Sequence, residues 1–283
     1  MSTNIRVIRS EHIAETIAKL CIEANMDISQ DIYDALSQAA AKETSQLART
    51  VLDMLLENAK IAAQERLPIC QDTGMVVVFV NIGTELHVQG NIGEAINEGV
   101  RMGYGAGYMR NSIVGDPIER VNTGDNTPCV IYYDFVSGDK LEIIVAPKGF
   151  GSENMSAIRM LSPSDGLDGM ERFILETVRN AGANPCPPVI VGVGVGGTMD
   201  KAAVLSKQAL LRKIGTSHPE PFWANFESRL LILVNDMGIG PAGFGGKTTS
   251  LGVHINTYPT HIAGLPVAVN IGCHATRHKS AVI

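Results

Sequence analysis

The sequence predicts a mixed α/β chain of the α+β class, in which a helical N-terminal layer precedes an α/β body. Three observations predict this class: apolar residues at helical spacing in residues 10–66, short apolar runs typical of strands after residue 75, and glycine- or proline-rich turns between later segments. The chain has 283 residues, 45% hydrophobic and 18% charged, and can therefore bury a core without disulfides. We expect a single domain over residues 1–283, with residues 1–66 as its helical layer.

The helical layer contains three predicted helices. Ser10 is a candidate N-cap for the first helix, and the apolar positions behind it recur every three or four residues. A second helix follows Ser29. The third runs from Thr44 toward Glu65, and Pro68 ends it.

The body combines strands and helices. The run MVVVFV at 75–80 predicts a buried strand, and the runs IYYDFV and LEIIVA around Gly138 predict a hairpin. No internal repeat, low-complexity segment or linker interrupts the body. Further helices are expected at 91–103, 166–181, 199–212 and 221–236, and further strands at 188–195, 250–256 and 265–271.

The charge balance and the N-terminal sequence argue against several classes of protein. The chain has 23 basic and 29 acidic residues, a net charge of −6, without the basic patch typical of nucleic-acid binding. The N-terminal sequence lacks the apolar region of a secretory signal, and no run of about 18 apolar residues predicts a membrane-spanning helix. We therefore expect a cytoplasmic protein that binds neither nucleic acid nor membrane.

Two glycine-rich segments imitate nucleotide-binding motifs. Gly192, Gly194 and Gly197 form a G-x-G-x-x-G pattern, but the proline-broken loop that follows lacks the second strand and the well-placed acidic residue of a dinucleotide fold. We favour a tight strand-to-helix turn with close backbone packing, and keep a glycine-loop NAD enzyme as an alternative. The segment GFGGKTTS has Pro241 in place of the first P-loop glycine, which excludes an ATPase motif.

The five cysteines fall into two groups by their surroundings. Their odd number and the lack of a C-x-x-C pair argue against a disulfide framework, zinc ribbons and thioredoxin-like chemistry. Cys21 lies at a periodic helix position and Cys129 at the start of a strand, so both are expected in the core. Cys70, Cys186 and Cys273 lie beside strand ends or proline- and glycine-rich turns, where functional groups are often displayed. Spacing alone leaves a metal site and inert burial both open.

Cys70 differs from the other cysteines because Gln71, Asp72 and Thr73 follow it immediately. Four polar or reactive groups between an apolar helix end and an apolar strand are difficult to explain as core. This segment therefore indicates a functional loop.

Several segments together carry a resemblance to a known family: PICQDTG, PKGFGSENMS, ANPCPPVIVGVGVGGTMDKAAVLSKQALLR, MGIGPAGFGGKTTSLGVHI and THIAGLPVAVNIGCHATR. With these segments the chain resembles the class I, iron–sulfur-dependent fumarate hydratases. More narrowly, it is similar to the separately encoded α subunit of their two-subunit form. Tartrate dehydratase and mesaconate hydratase subunits share this plan. The resemblance extends from about residue 10 to the last residue.

The resemblance implies a [4Fe–4S] cluster on Cys70, Cys186 and Cys273, with one iron left open as a Lewis acid. The body would then be the cluster-binding part of the chain. The resemblance also implies that Asp72 is catalytic and contacts the substrate by hydrogen-bonding or protonating the reacting hydroxyl, while Gln71 orients a carboxylate. For Asp72, an Asx turn leading into glycine is the alternative interpretation.

Two more residues match substrate contacts of the family, and two others would line the site. Arg110 would hold a carboxylate through two hydrogen bonds, against the alternative of a surface ion pair. His261 would donate to the other carboxylate, against the alternative of a loop histidine with a local partner. Gly151 and Asn154 would line the substrate or the cluster.

The resemblance also implies a partner. The sequence stops soon after Cys273, whereas the β region of the family brings further substrate-binding arginines and a catalytic threonine. We therefore expect a separately encoded β subunit, a hetero-oligomer and a C4-dicarboxylate substrate. Fumarate hydration to (S)-malate is the leading hypothesis. The alternatives are a tartrate dehydratase or mesaconate hydratase α subunit, or a non-catalytic iron–sulfur sensor.

Overall fold

The computed structural model describes residues 5–283 and divides the chain into two compact units. The first unit comprises residues up to Ile28 together with Ala59–Phe150 and Arg277–Ile283, and the second comprises Ser29–Asn58 and Gly151–Thr276. Across residues 5–283, no helix has both the length and the apolar character needed to cross a membrane.

Strand β1 and three consecutive helices are followed by a mixture of strands and helices, which is that of an α+β fold, as predicted. The helices are Ser10–Met26 (α1), Gln30–Lys42 (α2), Gln46–Glu65 (α3), Ile92–Ala106 (α4), Phe150–Glu153 (α5), Gly166–Ala181 (α6), Met199–Ala209 (α7) and Pro221–Asn235 (α8). The strands are Arg6–Arg9 (β1), Met75–Gly83 (β2), Leu86–Gln89 (β3), Val130–Val136 (β4), Leu141–Lys148 (β5), Ala157–Leu161 (β6), Val189–Gly196 (β7), Ser250–Tyr258 (β8), Leu265–Gly272 (β9) and Lys279–Val282 (β10).

The first unit is built on a four-stranded sheet in the order β10-β5-β2-β4. Strand β2 runs parallel to β4 and antiparallel to β5, and β1 and β3 form a separate parallel pair. Alternate residues of β5 are buried, as expected for a strand with one face on a core. Its core includes Leu141, Ile143 and Val145, and the two cysteines expected in the core, Cys21 and Cys129, belong to the same cluster.

Helices α1 and α4 approach each other closely through two glycines of α4. A Cβ at Gly99 would lie 2.5 Å from the Ala14 carbonyl oxygen, and a Cβ at Gly103 would lie 2.7 Å from the Ala18 carbonyl oxygen. No larger residue fits without moving one helix. The four-residue spacing of the glycines places both on the same face of α4.

The second unit is built on a four-stranded sheet in the order β6-β9-β7-β8, with β7 parallel to β8 and antiparallel to β9. The odd-numbered valines of β7 pack in the core with residues of α6 and α8. The glycines between them face α7: a Cβ at Gly194 would lie 2.0 Å from the Ala202 carbonyl oxygen, and one at Gly192 would lie 2.3 Å from that of Ser206. The G-x-G pattern therefore serves close strand–helix packing, as predicted.

Two local predictions are wrong. The helix α1 begins at Ser10 itself, and its N-cap is Arg9 without a side-chain hydrogen bond, because the preceding residues already form β1. The strands on either side of Gly138 are not a hairpin, because β2 lies between β4 and β5 and pairs with both. The sequence pattern identified the two strands, but their order in the sheet depends on a distant third strand.

Candidate functional site

Residues Cys70–Gly74, here called the Cys70 loop, precede β2 in the first unit and are held by buried polar side chains. The Tyr104 hydroxyl donates to the Thr73 carbonyl oxygen at 2.7 Å and to that of Gly74 at 3.2 Å. The Asn126 Nδ2 also donates to the Gly74 carbonyl oxygen, at 3.2 Å. Both Tyr104 and Asn126 are fully buried, and burial raises the pKa of the Tyr104 phenol above its usual range. The loop is therefore fixed to the core of the unit by side chains from two other segments.

Gly74 ends the loop in a conformation that favours glycine. Its φ is +81°, and a Cβ there would lie 2.8 Å from backbone atoms of Lys148. A side chain at this position would push β2 away from β5 at the point where the loop ends and β2 begins.

Asp72 uses both carboxylate oxygens on backbone N–H groups. Gly74 donates to Oδ1 at 3.0 Å, which is the Asx turn considered as the alternative, and Phe150 donates to Oδ2 at 2.8 Å. Asp72 therefore links the Cys70 loop to the end of β5 and the start of α5. Its catalytic role stays a prediction.

Cys70 and Gln71 stand at the accessible side of the loop. Cys70 is half-buried, Gln71 is exposed, and the Cys70 thiol donates to the Gln71 Oε1 at 3.7 Å. By contrast, burial raises the pKa of the Cys129 thiol to about 12 and that of the Cys21 thiol still further. Those two cysteines stay protonated and inert in the core, while Cys70 is within reach of a ligand.

Arg110 is attached to the same loop through its backbone. The Thr73 hydroxyl accepts from the Arg110 N–H at 3.1 Å and donates to its carbonyl oxygen at 3.2 Å. The side chain is exposed, and its guanidinium makes no hydrogen bond or ion pair within the described part of the chain. The surface ion pair considered as the alternative is not formed there.

Cys186 and Cys273 come together in the second unit through His274. The Cys186 carbonyl oxygen accepts from the His274 backbone N–H at 3.5 Å and from its Nδ1 at 3.0 Å, which requires a proton on that nitrogen. Cys186 is exposed and has a φ of +54°, rare for a residue with a side chain. Such a backbone persists only where the surroundings impose it, as at binding sites.

Cys273 follows β9 in a turn that its neighbours close. The Thr276 backbone N–H and hydroxyl both donate to the Cys273 carbonyl oxygen, at 2.9 and 2.8 Å. A Cβ at Gly272 would lie 2.2 Å from the Thr276 hydroxyl oxygen, so glycine is needed there. The Cys273 side chain is half-buried.

Gly151 and Asn154 lie at the short helix α5 and just after it, and both are exposed. Between them, Glu153 forms an ion pair with Lys207 of α7 and accepts from the Asn270 Nδ2 of β9 at 3.0 Å. These contacts fix the segment that carries Gly151 and Asn154 to the sheet of the second unit.

His261 lies in the exposed loop between β8 and β9, where its Nδ1 accepts from the Ala263 backbone N–H at 3.2 Å. This is the local partner considered as the alternative for His261. The loop borders an open, largely apolar cavity of about 410 Å³ in the second unit. Its lining also includes Leu167, Phe222, Trp223, Ile262 and Leu265.

Arg277 was not predicted as a site residue, although it lies in the segment CHATR that carries the resemblance. Its side chain is 5% exposed, and its Nη2 donates to the Asp72 carbonyl oxygen in the Cys70 loop. Its buried Nε has no hydrogen-bond partner in residues 5–283. Tyr104 and Asn126 were likewise missed, because nothing local in the sequence connects them with a loop 30 to 52 positions away.

Comparison with known proteins gives the family. A model of the fumarate hydratase (Fumerase) family matches residues 14–282. The chain belongs to the fumarate hydratase family. It is 43% identical over 272 residues to a Methanocaldococcus jannaschii protein named "Putative L(+)-tartrate dehydratase subunit alpha", covering 94% of this chain and 95% of the relative. It is 33% identical over 275 residues to the L(+)-tartrate dehydratase subunit alpha of Escherichia coli O157:H7, covering 96% and 90%. These relatives support a hydro-lyase.

The residues of this family member fit an anionic iron–sulfur group by their chemistry. Three cysteines lie outside the hydrophobic cores at partly accessible turns, and the Cys70 loop is flanked by a buried guanidinium that has no carboxylate partner among the described residues. Thiolates are the usual ligands of such clusters. Across residues 5–283, no three or more histidine, cysteine, aspartate or glutamate side chains are gathered in positions for a single metal ion.

Other conspicuous residues of the family motifs have structural roles. The Lys201 ammonium lies 4.9 Å from the centre of the Tyr258 ring. The backbone N–H of Lys247, in the P-loop-like segment, donates to the Glu43 carboxylate at 2.7 Å. His254 is buried in β8 with its Nδ1 3.3 Å from the Ala209 carbonyl oxygen.

Proposed function

We propose that the chain is the α subunit of a [4Fe–4S] hydro-lyase that interconverts fumarate and (S)-malate, with a separate β subunit completing the active site. The observation that carries the proposal is the Cys70 loop, in which a thiol, an amide and a carboxylate follow one another on a rigidly held backbone. Arg110 is attached to this loop, and its guanidinium has no ion-pair partner among residues 5–283. We further propose that residues 1–283 act as one functional domain.

Cys70, Cys186 and Cys273 would hold the cluster. When bound through three thiolates, the cluster supplies a Lewis acid at the iron that has no protein ligand. The family membership supports an iron–sulfur group, and the contrast with the buried thiols of Cys21 and Cys129 supports the choice of cysteines.

The chain's own residues would bind and orient the dicarboxylate. The exposed Arg110 guanidinium would take one carboxylate through two parallel hydrogen bonds, and the Gln71 amide would fix the orientation of that group. His261 would donate to the second carboxylate. Since carboxylates keep their charge throughout the reaction, these contacts contribute to binding more than to the chemical step.

Asp72 would handle the proton of the reacting hydroxyl. In the dehydration direction, the C–O bond of malate breaks and the C–H bond of the neighbouring carbon gives up its proton to a base. A proton delivered from the Asp72 carboxyl to the departing hydroxyl yields water, and the reverse transfer activates water for hydration. The two backbone N–H groups that donate to Asp72 support this proposal, since they would hold the carboxyl in place for the transfer.

L(+)-tartrate is the second candidate substrate, because the relatives at 43% and 33% identity are named as α subunits of tartrate dehydratase. (S)-Malate and L(+)-tartrate differ by one hydroxyl group. A site that hydrogen-bonds a substrate hydroxyl discriminates strongly against an analogue that lacks it.

The test is anaerobic reconstitution with iron and sulfide, followed by assays with the β subunit on fumarate, L(+)-tartrate and mesaconate. We expect cluster absorption in the visible range and the highest kcat/KM on fumarate and malate. A higher kcat/KM on tartrate would transfer the assignment to tartrate dehydratase. A cluster without turnover of any of the three would favour the sensor alternative.

A further inference from the structure

Arg277 is a buried cation that forms no ion pair with a carboxylate among residues 5–283. The side chain is 5% exposed, its Nη2 donates to the carbonyl oxygen of Asp72, and its Nε has no hydrogen-bond partner in the described chain. A carbonyl oxygen is a neutral acceptor. Among residues 5–283, no carboxylate forms an ion pair with this guanidinium.

A charge in this situation is expensive. Removing a guanidinium from water costs free energy that a single neutral acceptor does not return, and buried charges in proteins are normally paired. Arginine cannot lose its proton to escape the cost. A buried, unpaired arginine therefore indicates an anion that completes the site.

The position of Arg277 shows which anion fits. Its hydrogen bond ends on Asp72, two residues after Cys70 and in the loop that also carries Gln71. The same charge lies close enough to Tyr104 to act on its phenol, and Tyr104 holds the other end of the loop through the Thr73 and Gly74 carbonyl oxygens. The positive charge of Arg277 therefore lies beside the loop that carries Cys70, a predicted thiolate ligand.

We propose that Arg277 is a positioning residue that fixes the Cys70 loop through the Asp72 carbonyl oxygen and supplies the positive charge that offsets the anionic thiolate–cluster assembly. This inference rests on the proposed function, since it assumes a cluster at Cys70. Among residues 5–283, the hydrogen bond of Arg277 ends on the backbone carbonyl oxygen of Asp72, so its action is through the loop and through its charge.

Three variants separate the effect of the Arg277 charge from the effect of the hydrogen bonds that hold the Cys70 loop. Arg277→Met removes the charge and the hydrogen bond, Arg277→Lys keeps the charge, and Tyr104→Phe removes two hydrogen bonds to the same loop without changing any charge. Arg101→Met is the matched control, because Arg101 is an exposed arginine of the same unit paired with Asp125 and Glu98. The Arg101→Met substitution also removes one positive charge, but at another position of the unit.

Each chain is measured in two states. Urea unfolding of the iron-free chain reports stability without the cluster. After anaerobic reconstitution, iron and sulfide per chain, the rate of iron loss to a chelator and the midpoint potential of the cluster report the loaded protein. None of these measurements depends on catalytic turnover.

We expect the iron-free Arg277→Met chain to be at least as stable as the wild type, because an uncompensated buried charge is gone. The same variant should lose iron about 10-fold faster or more, the size of effect typical for residues that support metal ligands. Its midpoint potential should shift to more negative values, because reduction adds an electron to a site that has lost a nearby positive charge. Arg277→Lys should keep a potential close to the wild type.

Two further variants serve as controls. Tyr104→Phe should speed iron loss without shifting the potential, and Arg101→Met should change neither. If Arg277→Met retains iron and potential at wild-type values, or if it raises KM with an unchanged cluster, the inference is overturned. If it only destabilises the iron-free chain, Arg277 is an ordinary folding residue and the inference also fails. A wild-type chain that takes up no iron and sulfide would instead reject the proposed function.

Discussion

Asp72 connects two parts of the first unit through its carboxylate. The Asx turn to Gly74 occupies Oδ1 and the Phe150 N–H occupies Oδ2, at 3.0 and 2.8 Å. An asparagine can keep the first contact with its carbonyl oxygen, but its NH₂ group would then face the Phe150 N–H, donor against donor. The Asp72→Asn substitution is therefore not silent in the structure, even before any reaction is considered.

The Asp72→Asn chain should keep its cluster and lose about 10²–10⁴-fold in kcat, the usual contribution of a positioned acid–base group. The free energy of unfolding should fall by about 0.5–1.5 kcal/mol, because the Phe150 N–H loses its acceptor. Assays of the reconstituted chain with the β subunit, together with urea unfolding, give both quantities.

Asp116→Asn is the matched control. One oxygen of Asp116 accepts from the Ile118 and Glu119 N–H groups at 2.7 and 2.8 Å, and an asparagine carbonyl oxygen can replace it. This variant should keep wild-type activity. Wild-type kcat in Asp72→Asn with a full cluster would leave Asp72 with the turn as its whole role.

Asp72 could be chosen from the sequence as a candidate site residue because a local motif surrounds it, whereas the residues that support its loop could not be predicted. Arg277 is 205 positions from its partner Asp72, and Tyr104 is 31 positions from Thr73. Tyr104 looks like an ordinary apolar position of a helix, and nothing near it in the sequence indicates a buried hydroxyl with two acceptors. Contacts of this kind depend on tertiary packing rather than on a local pattern.

At the level of elements, α4 offers two glycines that differ in their surroundings. A Cβ at Gly99 would lie 2.5 Å from the Ala14 carbonyl oxygen and 2.6 Å from the Ile17 Cβ, whereas a Cβ at Gly105 would meet nothing within 4 Å. Gly99→Ala should therefore lower the free energy of unfolding by about 1–3 kcal/mol through overpacking. Gly105→Ala should raise it by up to about 1 kcal/mol, because alanine favours a helix.

Urea unfolding of both α4 variants measures this difference directly. Opposite signs are expected, and the two substitutions share the helix and the added methyl group. Equal effects would mean that α1 and α4 are not held at the distance described.

The elements themselves were largely predictable because their patterns are local. The helical spacing of apolar residues gave α1, α2 and α3, and the uninterrupted apolar run MVVVFV gave β2. The short strands β1, β3, β6 and β10 were missed, since four or five residues carry too little pattern. The order β5-β2-β4 could not be predicted from neighbouring runs, because β2 precedes both in the chain and still lies between them.

His254 in β8 gives the second unit a pH-dependent stability. Burial lowers the pKa of His254, and the Arg212 charge lowers it further, against the opposing effects of Glu227, Asp31 and the Ala209 carbonyl oxygen. Since the unfolded chain then binds a proton more readily than the folded chain, the free energy of unfolding falls as pH drops below about 6.5. The fall ends once the pH is below the folded pKa.

His254→Gln should remove this contribution, because glutamine does not titrate and can still donate to the Ala209 carbonyl oxygen. Urea unfolding of the iron-free chain at pH 7 and pH 5.5 gives the slope for both proteins. A slope that is unchanged in His254→Gln would show that other groups cause the acid sensitivity.

For the whole molecule, the exposed side chains of the candidate site agree with the proposed β subunit. Gln71, Arg110, Asn154 and His261 are all exposed, and charged contacts in water contribute little to binding. The relatives at 43% and 33% identity are named as α subunits of L(+)-tartrate dehydratase, and the proposed function includes a β subunit. A partner that excludes water would strengthen each contact to a dicarboxylate.

The reconstituted chain should therefore hold a cluster but hydrate fumarate slowly, and added β subunit should raise the rate to a plateau. Titration of β at constant α, with bovine serum albumin as the control protein, measures the dependence. Full activity of the chain without any partner would contradict the two-subunit account.

The central claim is that three of the five cysteines hold a [4Fe–4S] cluster. Each cysteine is replaced in turn by alanine, which avoids placing a hydroxyl in the buried positions of Cys21 and Cys129. Iron and sulfide per chain are then measured after anaerobic reconstitution. The account predicts a severe loss in Cys70→Ala, Cys186→Ala and Cys273→Ala, and wild-type content in the other two variants. Wild-type iron in any of the first three, or a comparable loss in Cys21→Ala or Cys129→Ala with the fold intact, would contradict it.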